Sequence, residues 1–309
     1  MNYGDLIRDA IRITWHNRYL WFFGFFVGLS SGGGGGGGGT GGGGDFDEQS
    51  SAEIASISPL AAQQGLFESA LLIVALVVVL VIFLVFFALY VVSQGGLTES
   101  VTAIERGEAR RFSSTWRVGT RFFWRVLGQV LLFVGIVIEL LLAGGIPIGL
   151  LAGAFATDYT AFQVMVVAVP LAIALLIVIF IPLAIVRQFA RRELVVRGVG
   201  VLGSAGTGYR LFRRHIGRSL LVWLIQLGIM LGAGIALIIA LLIVGVVIFL
   251  PTIILAVTGY TTAAIIAGVV AGLIMLPLLI VATAILGTFN HSYWTLAYLR
   301  LADTSPRVR

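Results

Sequence analysis

The sequence predicts an all-α integral membrane protein with about six transmembrane segments arranged as three helical hairpins with internal repeats. Three observations lead to this fold class: the composition, the lengths of the apolar runs and the distribution of arginine. Of the 309 residues, 59% are hydrophobic and 11% are charged, whereas soluble domains have about 25% charged residues. So few charges cannot cover a water-facing surface, and we therefore expect most of the surface to contact lipid.

The lengths of the apolar runs predict the number of membrane segments. A helix needs about 20 apolar residues to cross a hydrocarbon core about 30 Å thick. The runs cover residues 19–29, 68–92, 126–155, 164–186, 219–257 and 261–289. The first crosses only if its helix begins near Ile11, and otherwise forms a re-entrant or interfacial segment. The fifth is too long for one crossing, which predicts a break near Pro251 with the remainder lying along the outer surface.

The distribution of arginine predicts the orientation. All 20 basic residues are arginine, and they lie within residues 1–18, 93–125, 187–218 and 290–309. The alternating segments 30–67, 156–163 and 258–260 contain none. Because cytoplasmic loops carry the excess of basic residues, we expect both termini on the cytoplasmic side of the inner (plasma) membrane, separated by six crossings. The six tryptophans lie beside the arginine-rich segments and predict an aromatic belt at that interface.

The whole chain, 1–309, is expected to form a single membrane domain with an N-terminal unit, 1–92, and two repeats, 93–190 and 191–309. The N-terminal unit contains the loop 30–67, in which twelve of the thirteen residues from Gly32 to Gly44 are glycine. These glycines match G-x-G-x-x-G trivially, because a dinucleotide site needs a strand before the motif and a helix after it. We therefore interpret the loop as a disordered extracytoplasmic tether.

An internal repeat organises the rest of the chain. Residues 119–132 read "GTRFFWRVLGQVLL" and residues 208–221 read "GYRLFRRHIGRSLL". At an offset of 89 both fit G-x-R-x-F-x-R-x-[LI]-G-x-x-L-L, and each is followed by two long apolar runs. The N-terminal unit resembles a more diverged third copy. Parallel repeats of this kind occur in some transporters.

Six arginines beside the repeat motif are the candidate binding residues. They are spaced four residues apart in two trios, which predicts that each trio lies on one helix face. One interpretation is that they bind anionic lipid headgroups, because guanidinium groups match the geometry of phosphate. The other is that they mark the membrane boundary and stay hydrated. The residues are Arg117, Arg121, Arg125, Arg210, Arg214 and Arg218.

A few polar residues lie within the apolar runs. Glu139 is the only acid well inside a run, and such residues often mark an ion path. The alternative is a neutral Glu139 hydrogen-bonded to Gln226 or to a backbone carbonyl. Gln129 and Gln226 are expected to join helices. The stretch from Gly144 to Pro147 is expected to break or kink its helix.

The composition excludes several chemistries. Without cysteine or lysine, the chain can form neither a thiolate metal site, nor a P-loop, nor a Schiff base. Ser30 in "GLSSG" fits a nucleophile-elbow pattern, but we expect it at the opposite membrane face from His291. His16, His215 and His291 have no metal-binding spacing and are predicted to lie at the interface. No catalytic, metal or cofactor site is predicted.

Three stretches carry a family resemblance. They are the opening "YGDLIRDAIRITWHNRYLWFFGFFVGL", the repeated "GxRxFxRxLG" and the ending "NHSYWTLAYLRLAD". They resemble a group of multi-pass bacterial membrane proteins similar to the membrane domain attached to some glycerophosphoryl diester phosphodiesterases. The resemblance implies a polytopic helical domain. The phosphodiesterase barrel and its metal-binding His/Glu set have no counterpart here, so the catalytic role does not carry over.

The sequence therefore predicts a non-catalytic membrane scaffold or accessory subunit. Its expected partners are anionic lipid headgroups or an unidentified protein at the arginine-rich cytoplasmic face, and not nucleic acid. The alternative is a transporter or channel component, with Glu139 and the Gly/Pro helix breaks lining the path.

Overall fold

The structure, a computed structural model, describes residues 2–31, 59–154 and 159–303. Within these ranges the chain forms nine α-helices and no strand, which confirms the predicted all-α class. The helices are α1 (Tyr3–His16), α2 (Leu20–Ser31), α3 (Pro59–Glu105), α4 (Phe112–Arg121), α5 (Phe123–Ala154), α6 (Tyr159–Val196), α7 (Val201–Arg214), α8 (Ile216–Val257) and α9 (Thr261–Asp303).

Five helices, α3, α5, α6, α8 and α9, are long and apolar enough to cross a membrane. Helix α2 has 12 residues and a length of about 18 Å, which is shorter than a hydrocarbon core of about 30 Å. Of the two alternatives for this segment, a helix that begins near Ile11 is not formed, because α1 ends at His16 and the Asn17 side chain donates to the Ile13 carbonyl oxygen, at 3.1 Å. The five apolar helices indicate a membrane protein.

Helices α1, α4 and α7 are short and amphipathic, and each leads within a few residues into an apolar helix. Helix α4 packs on α3, α7 packs on α6, and α1 packs on α9. The first glycine of the repeat motif lies at this contact in both copies. A Cβ at Gly208 would lie 2.8 Å from the Ala190 nitrogen, and one at Gly119 would overlap the Val92 carbonyl oxygen. Glycine is needed there because the backbones touch.

The buried core lies where the C-terminal ends of α3, α6 and α9 meet the three amphipathic helices. Leu97, Phe189 and Tyr293 are fully buried there, one from each long helix. By contrast, residues 71–86 of α3 are all exposed, and their apolar side chains suit contact with lipid. The long helices therefore continue beyond their apolar runs because their ends complete this core.

The predicted break near Pro251 is absent, because α8 continues through Pro251 to Val257. Helix α5 is likewise unbroken from Gly144 through Pro147 to Ala154, and the alternative of a kink there stays a prediction. A broken helix in lipid would expose backbone groups that water cannot reach, which favours continuity. The predicted turn at 258–260 is confirmed, and Gly259 adopts the left-handed conformation there, with a φ of 84°. The predicted loop 30–67 is wrong at both ends, because Ser30 and Ser31 belong to α2 and residues 59–67 belong to α3. The rest of the predicted tether, residues 32–58, lies outside the described ranges.

Candidate functional site: surface arginines and a buried arginine cluster

The six predicted arginines do not form two helix faces. Phe122 ends α4, so that Arg121 precedes the break and Arg125 follows it on α5. His215 separates Arg214 on α7 from Arg218 on α8 in the same way. The prediction of a continuous helix is wrong, because the chain turns from a surface helix into an apolar helix within each trio. The break comes one helical turn later in the second motif.

All six arginines are exposed. Arg125 donates to the Gly198 carbonyl oxygen at 3.2 Å, and its guanidinium lies 6.0 Å from the centre of the Phe122 ring. Arg210 donates weakly to the Gly206 carbonyl oxygen, at 3.4 Å. None of the six forms an ion pair with a carboxylate of the described residues. The trios therefore present uncompensated positive charge on the surface.

Two predicted intramembrane residues have different surroundings. Gln226 donates to Asn290 Oδ1 at 2.9 Å, so it joins α8 to α9 as expected. Its partner is Asn290 and not Glu139, which is exposed on α5. Gln129 is buried, but its amide has no hydrogen-bond partner within the described ranges. The expectation that Gln129 joins helices through a hydrogen bond is therefore wrong.

A cavity of about 610 Å³ lies among the six apolar helices. We refer to the polar residues of its lining as the polar wall and to the apolar residues as the apolar wall. Helix α6 supplies most of the polar wall from one face, and α3, α8 and α9 add amides and an imidazole. The polar wall comprises Gln94, Arg187, Gln188, Arg191, Arg192, Gln226, Asn290 and His291. The apolar wall includes Phe26, Val27, Leu29, Phe83, Phe86, Phe87, Tyr90, Val130, Val134, Ala184, Trp223 and Trp294.

Two arginines of the polar wall are buried and join three helices. Arg191 is 5% exposed and donates to Gln94 Oε1 on α3, at 2.5 Å. Arg192 is fully buried, and its Nη1 donates to the backbone oxygen and Oε1 of Gln188 at 2.6 and 2.8 Å. Its Nη2 also approaches the His291 carbonyl oxygen on α9, at 3.4 Å. These acceptors are neutral, so they leave both positive charges uncompensated.

Helix α9 contributes two residues, His291 and Trp294, that pack beside the buried arginines. His291 Nε2 is 2.9 Å from Thr98 Oγ1 on α3, and the Trp294 ring lies 6.0 Å from the Arg192 guanidinium carbon. Both residues were predicted to lie at the interface. The structure buries both side chains inside the protein, since His291 and Trp294 are only 3% and 2% exposed, and their depth in the membrane stays a prediction. Since α9 continues to Asp303, these positions turn into the core.

Glycines hold α2 against α9 beside the cavity. A Cβ at Gly28 would lie 2.6 Å from the Thr283 carbonyl oxygen, and one at Gly24 would overlap the Thr288 side chain. Thr288 Oγ1 donates to the Ala284 carbonyl oxygen of its own helix at 2.8 Å and also lies 3.2 Å from the Leu20 carbonyl oxygen of α2. The spacing Gly24-x-x-x-Gly28 is the small-residue pattern of closely packed membrane helices.

Sequence reasoning missed the burial of Arg191 and Arg192 because it counted them, together with the exposed Arg187, as cytoplasmic loop charges. A signal was present in "AIVRQFARREL". Positions 184, 187, 188, 191 and 192 recur at spacings of three and four, which places them on one face of a continuing helix.

The chain belongs to a family of unknown function, DUF7544, whose model matches residues 15–309. No curated protein matches the chain, and no solved structure matches it. The resemblance to the membrane domain of glycerophosphoryl diester phosphodiesterases therefore stays a prediction.

Proposed function

We propose that this protein is a non-catalytic membrane scaffold or accessory subunit that binds anionic lipid headgroups through its arginine-rich inner face. The observation that carries the proposal is the exposure of all six motif arginines without a carboxylate partner in the described ranges. Such arginines attract the phosphates of an anionic leaflet. In the alternative form of this proposal, the same face binds a protein partner and no lipid.

We infer that the chain consists of three hairpin units, α1–α3, α4–α6 and α7–α9. Each unit has a surface helix, an apolar helix and a long helix. The packing of α4 on α3, α7 on α6 and α1 on α9 supports this inference, because each surface helix then contacts the long helix of the preceding unit. The third contact joins the last unit to the first and closes the ring.

The same contact supports six crossings with both termini on the cytoplasmic side. Asp9 of α1 forms an ion pair with Arg300 near the end of α9. Elements in contact at one membrane face are separated by an even number of crossings. The five long helices supply an odd number, so α2 and the residues after Ser31 would have to provide the sixth. The arginine distribution supports a cytoplasmic location for this face.

The experiment is an inventory of bound lipid and protein. The chain is extracted with its bilayer in polymer nanodiscs, as wild type and with Arg121, Arg125, Arg210 and Arg214 changed to Gln. Mass spectrometry is expected to find an anionic lipid enriched in the wild type and not in the variant. A variant with Lys at these positions keeps the charge and is expected to retain part of the enrichment. Equal lipid content in all three would overturn the lipid proposal.

Transport is the second candidate function, and the position of Gln226 in the wall of the central cavity favours it. In this alternative Glu139 and helix breaks line the path. However, α5 and α8 are continuous helices, and Glu139 does not line the cavity. A flux that is lost in Glu139→Gln while the protein still folds would support transport. If the protein is a scaffold, Glu139→Gln is expected to leave any measured flux unchanged.

A further inference from the structure

We propose that the cavity beside Arg187, Arg191 and Arg192 binds one membrane lipid with an anionic, phosphate-type headgroup. This site is separate from the exposed motif arginines, and it does not depend on the scaffold proposal. The cavity of about 610 Å³ lies within the range of about 300–1,000 Å³ that is typical of ligand sites. The inference combines the charge of the polar wall, its unpaired donors, the apolar wall and the depth of the cavity.

The polar wall has an excess of positive charge. Arg191 is an electrostatic neighbour of both Arg187 and Arg192, so three like charges share one face of α6. No described carboxylate forms an ion pair with any of them. The nearby Glu193 pairs with Arg197, at 3.5 Å. Burying uncompensated charge is costly, and an anion in the cavity would supply the missing countercharge.

The buried donors are also incompletely used. Nε of Arg191, Nε of Arg192 and the indole nitrogen of Trp294 are buried without a hydrogen-bond partner among the described residues. A buried donor without an acceptor destabilises the protein. All three residues line the cavity, but these nitrogens are covered by the protein. The guanidinium groups that a ligand in the cavity can reach belong to Arg187, which is exposed, and to Arg191, which is 5% exposed. Phosphate oxygens accept several hydrogen bonds at once and match the planar geometry of guanidinium.

The apolar wall argues for a lipid and against a free anion. Aromatic and aliphatic side chains of α2, α3 and α5 continue the cavity away from the arginines, among them Phe26, Phe86 and Val134. Val134 is 45% exposed, so its side chain adjoins open space. A water-soluble phosphate gains nothing from these residues. An acyl chain buries apolar surface against them, which stabilises the complex.

The depth of the cavity suits a lipid of the inner leaflet. The apolar run of α6 ends at Val186, and the three arginines follow within six residues. This position corresponds to the headgroup level of the leaflet, so a lipid can place its phosphate there without leaving its normal depth. Helix α6 packs closely on α7 but contacts α8 at few residues. We infer that a lipid enters sideways between α6 and α8.

Native mass spectrometry of the full chain tests the site. The protein is stripped of lipid in a zwitterionic detergent and titrated with dioleoyl phosphatidate, with dioleoyl phosphatidylcholine, or with inorganic phosphate alone. The wild type is expected to retain one phosphatidate and to prefer it over phosphatidylcholine. Arg187→Gln with Arg191→Gln is expected to weaken retention by roughly tenfold or more. Arg8→Gln with Arg106→Gln removes the same charge from exposed positions outside the six motif arginines and is the matched control.

A second variant distinguishes loss of the lipid site from misfolding of the arginine variant. Val134→Trp keeps every arginine and fills part of the apolar wall, so it is expected to fold normally and to lose phosphatidate. Equal retention by the cavity and surface variants overturns the site. Equal retention of phosphatidylcholine overturns the anionic headgroup. Displacement of phosphatidate by millimolar inorganic phosphate, with no effect of Val134→Trp, overturns the lipid in favour of a free anion. The surface proposal is unaffected by any of these results.

Discussion

The buried cluster consists of polar residues that depend on one another for hydrogen bonds. His291 Nε2 bonds Thr98 Oγ1 at 2.9 Å, and both residues lie in the core. The sequence could predict that Gln226 joins two helices, because an amide in an apolar run needs a partner. It could not predict that Arg192 is fully buried. An arginine after an apolar run ordinarily marks the interface, and burial depends on helices that are distant in the sequence.

Removing the Thr98 hydroxyl is expected to destabilise the protein. Thr98→Val keeps the shape of the side chain but leaves the His291 ring nitrogen buried without its partner, which costs about 1–3 kcal/mol. Thermal unfolding in one detergent measures the difference. Thr120→Val is the control, because Thr120 is exposed and bonds only a carbonyl of its own helix. Equal melting temperatures for the two variants would contradict the importance of the Thr98 bond.

His215, at the break between α7 and α8, is expected to make stability depend on pH. Burial, and then the charges of Arg218 and Arg214, hold the pKa of His215 below its usual value. The unfolded chain therefore binds this proton at a higher pH than the folded chain does. Stability should fall as the pH drops below about 6.5, the usual pKa of histidine. His215→Gln should remove this part of the pH dependence, and an unchanged pH profile of thermal unfolding would contradict it.

At the scale of the helix, the sequence predicted the type and position of the long helices better than it predicted where they end and which helices they contact. The apolar runs located the five long helices because lipid favours continuous helices. The ends of α3, α6 and α9 were missed by more than nine residues each, because polar residues there pack into a core. The close contact of α2 with α9 had a visible sign in Gly24-x-x-x-Gly28. Its partner, Gly287, could not be identified without the fold.

The glycine contact gives a prediction for α2. Gly28→Ala would place a Cβ 2.6 Å from the Thr283 carbonyl oxygen, and the backbones would have to separate. Such overpacking costs about 1–3 kcal/mol, and the loss should appear in thermal unfolding. Gly135→Ala in α5 is the matched control, because nothing lies within 4 Å of its Cβ. Alanine has the higher helix propensity, so the control should be neutral or slightly stabilising. A stable Gly28→Ala would contradict the contact.

At the scale of the molecule, the packing of the short helices on the long helices follows from few sequence signals. The motif glycines Gly119 and Gly208 contact the long helices α3 and α6, and the offset of 89 pointed to this pair. The third contact, of α1 on α9, has no such glycine and could not be predicted from the repeat. It joins the two ends of the chain, and it determines whether the number of crossings is even.

Cysteine labelling tests the topology directly, because the chain contains no cysteine and every introduced thiol is unique. Thr258→Cys in the α8–α9 turn and Thr40→Cys in the glycine-rich segment should react with a membrane-impermeant maleimide added outside intact cells. Thr120→Cys at the end of α4 should react only after permeabilisation. Helix α3 spans once, so Thr40 should lie opposite Thr120 whether or not α2 crosses, and a thiol on α1 must report on α2. Asp5→Cys, at an exposed position of α1, should react only after permeabilisation, because the contact between α1 and α9 requires α1 to lie on the side of Thr120. Labelling of Asp5→Cys from outside would leave five crossings, and the ion pair between Asp9 and Arg300 could not then form in the membrane.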